Sequence, residues 1–237
     1  MNLRIFTVCI LHCGLALVAT SAYAADTTSA VKLVYQELEQ GVLPYQVTYT
    51  VSDDHLRIDD ESDSSGFIVF DIHSEKVFSV SHLDKSILVI PDYNTVDLKP
   101  EFKIDIEYKL IEDAPKISAK PVYNYRVKAV TGATSETCMD IQLVPGLLPQ
   151  AADSLRAFQK IVSGQHVINL EKTPDEFRTP CYLVDQVYNK GDYYSKGFPI
   201  QEWHSNGRMR QLLDYKETEV DTSIFTIPEE YRQYSLQ

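Results

Sequence analysis

Apolar and polar side chains alternate along most of the chain after residue 44. Tyr45, Val47, Tyr49 and Val51 are interleaved with Gln46, Thr48 and Thr50, the period of a half-buried strand. Phe102, Ile104, Ile106, Tyr108 and Leu110 alternate with Lys103, Asp105, Glu107 and Lys109. Tyr123, Tyr125 and Val127 alternate with Asn124, Arg126 and Lys128. Between the first two of these segments lie three short runs, 66–71, 76–80 and 86–90. Each is rich in β-branched or aromatic residues, and polar turn residues bound each one. The spacing predicts an antiparallel meander, and the one-sided alternation predicts a sheet with one wet and one covered face.

The period changes after residue 147. Leu148, Ala151, Ala152, Leu155, Phe158 and Val162 recur at helical spacing, with Pro149 at the start and Gly164 past the end. Thr173 and Glu176 form a capping-box pair for a second helical piece. The run from Cys181 to Tyr188 fits a helix or a strand equally. A helical insert of about 148–188 therefore interrupts the strands. Strand period then returns at 199–203 and 208–215, joined through Asn206-Gly207, a strong hairpin signal. Residues 219–221 and 225–228 read as a final edge segment, stopped by Pro228.

The first 24 residues carry a different pattern. Arg4 precedes an apolar run from Ile5 to Ala19, and Ser21-Ala22-Tyr23-Ala24 places small residues at a cleavage site. This predicts a secretory signal peptide cleaved after Ala24, with residues 25–237 forming one exported, periplasmic domain. No later segment has the length and apolarity of a membrane span. A formal charge of −12 excludes a nucleic-acid binder, because phosphate neutralisation needs a cationic face. Export also decides the cysteines. Cys9 and Cys13 leave with the leader, so Cys138 and Cys181 remain as an even pair in an oxidising compartment, and a structural disulfide is expected. Such a bridge constrains the unfolded chain by about 4 kcal/mol at most. One detail resists it: in the strand 136–144, strict alternation puts Met139, Ile141 and Leu143 on one face and Cys138 on the other.

The block 54–59, 66–71, 76–80 and 85–90 resembles the opening meander of the LolA/LolB-like superfamily. The close, Gly197-Phe-Pro-Ile-Gln-Glu-Trp203 through Phe225-Thr-Ile-Pro-Glu-Glu-Tyr231, is similar to its C-terminal strands. The resemblance implies a mainly β (α+β) fold, a single antiparallel incomplete barrel, strongly curved, with the helical insert on its concave face. It also implies an apolar cavity between sheet and helices. Members carry lipoprotein acyl chains or serve as sensor domains for envelope regulators.

On this reading Arg57, near the rim, holds a ligand headgroup, although a surface arginine paired with Asp59 or Asp60 explains it equally simply. Tyr45, Tyr49, Phe102, Tyr108, Tyr123 and Tyr125, with Leu155 and Phe158 from the insert, line the cavity or form ordinary core. Asp59, Glu61 and Asp63 have alternate oxygen ligands but lack the glycine and bidentate glutamate of a calcium loop. His55, His73 and His82, with Asp71 or Glu75, are the candidates for copper or zinc, without a motif. No nucleophile, metalloprotease or phosphate-loop motif is present, so neither catalysis nor a cofactor is expected. The expected function is binding of an acyl chain, lipoprotein or other amphipathic ligand. The alternatives are docking to another envelope protein through an edge strand, and metal binding through the histidines.

Overall fold

A computed structural model of the chain describes residues 26–60, 65–93 and 98–235. The leader and the calcium-loop candidate at 61–63 lie outside the described residues. Twelve strands form one open sheet: β1 (Thr27–Leu38), β2 (Tyr45–Ser52), β3 (His55–Asp60), β4 (Gly66–Asp71), β5 (Lys76–Ser81), β6 (Ser86–Pro91), β7 (Lys103–Leu110), β8 (Tyr123–Thr131), β9 (Thr134–Val144), β10 (Phe198–His204), β11 (Met209–Asp221) and β12 (Arg232–Tyr234). Their order is β12-β6-β5-β4-β3-β2-β1-β11-β10-β9-β8-β7. Every pairing is antiparallel except β12 on β6. The alternating segments therefore form the strands they predict. The C-terminal expectation needs correcting: 219–221 continues β11, 222–225 is a 3-10 turn, and the edge strand is 232–234.

Helix α1 (Pro149–Asn169) begins with Pro149 in its first turn, where a missing N–H costs nothing. It runs past Gly164 because its face of Ala151, Ala152, Leu155 and Ile161 is buried against β2, β3, β5 and β6. Tertiary packing here outweighs the helix-weakening effect of one glycine. Helix α2 (Pro180–Leu183) is capped by the Thr179 hydroxyl, which accepts from the Tyr182 N–H, and continues as a π-helical turn over Val184–Tyr188. The segment is helical rather than extended, and it packs on β8 and β9. The main core lies between these helices and the sheet, with Leu33, Leu56, Phe70, Ile141, Leu143 and Leu155 all buried.

A bulge resolves the position of Cys138. Val127 pairs with Met139, but the next residue, Lys128, pairs with Thr137, so Cys138 is the extra residue in β9. The bulge re-aims the side chain. Cys138 is buried with Met139 on the helix side, bonded to Cys181 of α2. The sheet's other face carries a smaller cluster, Phe67, Val69, Val80 and Ile87, covered by Ile227 and Tyr231 from the C-terminal segment.

Candidate functional site

Strand pairing sets side chains in rows, because directly opposed residues share a face. On the helix-covered face one row runs Tyr108, Tyr125, Ile141, Glu202, Arg210, Glu37, Tyr45 across seven strands. Its centre is ionic. Arg210 Nη2 donates to Glu202 Oε1 at 2.8 Å, and Arg210 Nη1 donates to the Tyr49 hydroxyl at 2.9 Å. Glu37 lies 4.0 Å from the same guanidinium and accepts from the Tyr45 and Tyr49 hydroxyls. The Asn206-Gly207 turn sets this pairing. Gly207 adopts φ of 84°, and His204 N–H donates to Arg208 C=O, which puts Glu202 opposite Arg210.

A second group adjoins the first. His204 contacts Asp185 of the π-helical turn at 2.9 Å and Glu202 at 3.5 Å, and Arg208 closes on both His204 and Asp185. Burial alone raises a carboxyl pKa, but Arg210 and His204 overcome it and hold Glu202 at about 2. Asp185 is lowered by the same balance, burial against the bonds from His204 and Arg208. Burial pulls His204 down, and its two carboxylate partners outweigh it, so the imidazole sits above its usual value. Tyr193 and Tyr194 close the cluster from above, with ring centroids 4.5 Å apart. Each charge has a partner of opposite sign. The cluster joins β10 and β11 to the helical turns, and its chemistry is that of a structural clasp.

The residues expected to line a cavity are dispersed and do not surround one space. Tyr49 and Tyr125 are core residues. Tyr45 lies beside the ionic row, hydrogen-bonded to Glu39 at 2.8 Å. On α1 itself, Leu155 is buried, and Phe158 meets Phe70 of β4 with centroids 6.1 Å apart. Tyr108 stacks on Tyr123 at 4.8 Å at the far edge of the sheet, and Phe102 meets Tyr188. Arg57 belongs to the opposite face. It opposes Thr50 and Val69, bonds Asp59 through Nη2 at 2.6 Å, donates to the Ile224 carbonyl, and lies 3.8 Å above the Phe67 ring. Its guanidinium is thus fully engaged, and it fixes the C-terminal segment. The three histidines also part company. His55 stacks on Phe225, His73 bonds Asp54, and His82 bonds the Tyr231 hydroxyl. Among the described residues no group of three His, Cys, Asp or Glu side chains is placed to share an ion.

An apolar groove opens where β10 leaves β11. β10 pairs with β11 only over 201–203, while β11 continues to Asp221 along β1. The loop between β7 and β8 enters the gap, and Ser118 Oγ meets the Tyr215 hydroxyl at 2.5 Å. Pro115, Ile117, Ile200, Leu212 and Tyr215 wall a groove of about 440 Å³, with the carboxamides of Gln142, Gln201 and Gln211 along one side. Alternation misses this site because Ile200 and Leu213 fall at register shifts, where strand period is broken.

No family model matches the chain, and no curated protein matches it. Two solved structures of PNGF-II, in the C2 and P21 space groups, superpose with a TM-score of 0.41 at 10% and 9% identity. The match covers 88% of this chain and 31% and 32% of those chains, so this chain spans about a third of their length. At that score the likeness carries no argument. The fold and the site define a class by themselves: an open, mainly antiparallel sheet with a disulfide-tied helical layer, a buried ionic clasp and an apolar groove. The Cys138–Cys181 bridge is compatible with an exported protein.

Proposed function

We propose that this chain is an exported, periplasmic binding protein for an amphipathic ligand such as an acyl chain or a lipoprotein. On this reading it is built as a LolA/LolB-like incomplete barrel curved around its helical insert, with its leader cleaved after Ala24. The observation that carries the reading is the groove at Ile200, Leu212 and Tyr215. An apolar wall with a few carboxamides on one side is the composition of a small-molecule site, and about 440 Å³ is within the usual range. The ligand is placed in this groove rather than between sheet and helices, where Leu33, Leu56, Phe70 and Leu155 pack.

Titration with a dansyl-labelled undecanoic acid tests the proposal. Saturable binding is expected, weakened tenfold or more in Leu212→Lys. Absence of saturable binding, or an L212K affinity equal to wild type, overturns it.

One observation favours a second reading, docking of an envelope protein on an edge strand. Among the described residues β7 pairs only with β8, and Ile106, Tyr108 and Leu110 stand exposed along it. Pull-down from envelope extract that is lost in Ile106→Lys supports that reading, and retention by the variant excludes β7.

A further inference from the structure

Register places six carboxamides in one line on the face opposite the ionic row. Asn124 of β8 pairs with Gln142 of β9, Gln142 with Gln201 of β10, and Gln201 with Gln211 of β11. Gln211 then pairs with Gln36 of β1, and Gln36 with Gln46 of β2. Every strand in six consecutive ones contributes an amide at the same level. At about 4.8 Å per strand the line extends roughly 24 Å. All six are half-buried or exposed, and among the described residues none is engaged in an intrachain side-chain hydrogen bond. Beside the line stands Trp203, the one tryptophan of the chain. It is two residues from Gln201 on the same face, paired with Asp140 and Met209, and 36% exposed.

We infer that this face binds a neutral glycan chain. The inference rests on the amphipathic-ligand reading for its location, since three of the amides wall the groove, and it names the ligand's polar half. The chemistry is specific. A carboxamide offers two donors and two acceptors, which matches hydroxyl groups that are themselves both. An exposed indole offers a flat apolar surface for the C–H face of a sugar ring, with a polar N–H at its edge. The six amides carry no charge, the charged groups beside them are paired (Lys109 with Glu107, Arg126 with Asp140), and the chain's net charge of −12 repels anionic polymers. A strip of this length suits an oligosaccharide rather than a single sugar. Gln36 and Gln46 lie outside the groove, so an acyl chain in the groove gives no reason for them.

Trp203 makes the test direct, because intrinsic tryptophan emission reports this face alone. The full chain is titrated with cellohexaose, chitohexaose and maltohexaose, with hexagalacturonate as the anionic comparison, and affinities are repeated by calorimetry. At least one neutral hexasaccharide is expected to change the emission saturably. Gln201→Ala and Gln36→Ala are expected to weaken it at least tenfold and threefold, with unchanged melting temperatures. No saturable response to any neutral hexasaccharide overturns the inference, as do variants that bind like wild type or a preference for hexagalacturonate. So does a concentration-dependent dimer in ultracentrifugation that Q36A dissolves, which assigns the face to a second copy. The dansyl-fatty-acid titration separates the two readings. Fatty-acid binding without saccharide binding removes the glycan and leaves the groove. Saccharide binding without fatty-acid binding removes the acyl chain and leaves the amide line.

Discussion

Arg210 and Glu202 face each other on adjacent strands of one hairpin, guanidinium to carboxylate at 2.8 Å, with the Glu202 side chain 2% exposed. A carboxylate so deep in a core stays charged only beside a cation, and Arg210 also holds the Tyr49 hydroxyl. Removing one partner of such a pair leaves an uncompensated buried charge, at a cost of about 3–5 kcal/mol. Arg210→Met is therefore expected to lower the urea unfolding free energy by that amount. Adding Glu202→Leu is expected to recover much of the loss, because an apolar pair of similar volume has no charge to desolvate. Equal losses in the single and double variants count against the clasp.

The same groups set a pH window. Glu202 has its folded pKa depressed from 4.5 to about 2, so its contribution is present above pH 4.5 and is lost as pH falls from there towards 2. Asp185 is lowered too and acts in the same direction. His204 is raised above 6.5, so its contribution is full below pH 6.5 and is lost as pH rises through the folded value. Greatest stability is expected between about pH 5 and 6.5. Thermal melts from pH 3 to 9 check this, and His204→Gln is expected to flatten the alkaline limb and to shrink the acid limb in part, because His204 also helps to lower Glu202 and Asp185.

The Cys138–Cys181 bridge ties β9 to α2 across 43 positions. Constraint of the unfolded chain predicts a loss of about 2–4 kcal/mol on reduction or in the double serine variant. Differential scanning calorimetry with and without reductant measures it. Identical melting temperatures mean the bridge is absent in solution.

Arg57 is expected to act on stability rather than on ligand. Its partners are Asp59, the Ile224 carbonyl and the Phe67 ring, all on the face covered by the C-terminal segment. Arg57→Ala is predicted to cost about 1 kcal/mol and to speed hydrogen exchange at 224–231. Fatty-acid affinity is expected to stay unchanged, and a tenfold loss places the residue in the site after all.

The part of the site that is legible in the chain is the part that local rules govern. Asn206-Gly207 announces a hairpin, but counting outward from a two-residue loop would put Glu202 opposite Gln211; the loop takes in Ser205 as well, with His204 bonded to Arg208, and that one-residue difference sets Glu202 opposite Arg210. Cys138 shows where such counting stops. A single unpaired residue in β9 reverses the face that alternation assigns to it, and nothing in 134–144 marks the bulge. The groove is hidden for the same reason, since Ile200 and Leu213 lie at register shifts.

Apolar periodicity by itself located most of the strands between 45 and 215 and the helical insert, because those depend on neighbours two to four positions away; β1 and the edge strand 232–234 were not read from it. The pairing of Cys138 with Cys181 was expected from the sequence once Cys9 and Cys13 were assigned to a leader, and the structure places the two at bonding distance. Which strands lie side by side was decided only in three dimensions. β1 is seated between β2 and β11 although nearly the whole chain separates it from β11. Only that closure brings Gln36 into line with Gln211, and Glu37 within reach of Arg210. Long-range pairing is a choice among many registers of similar local energy, settled by the burial of the whole sheet. The buried clasp, the apolar groove and the line of amides all depend on that choice.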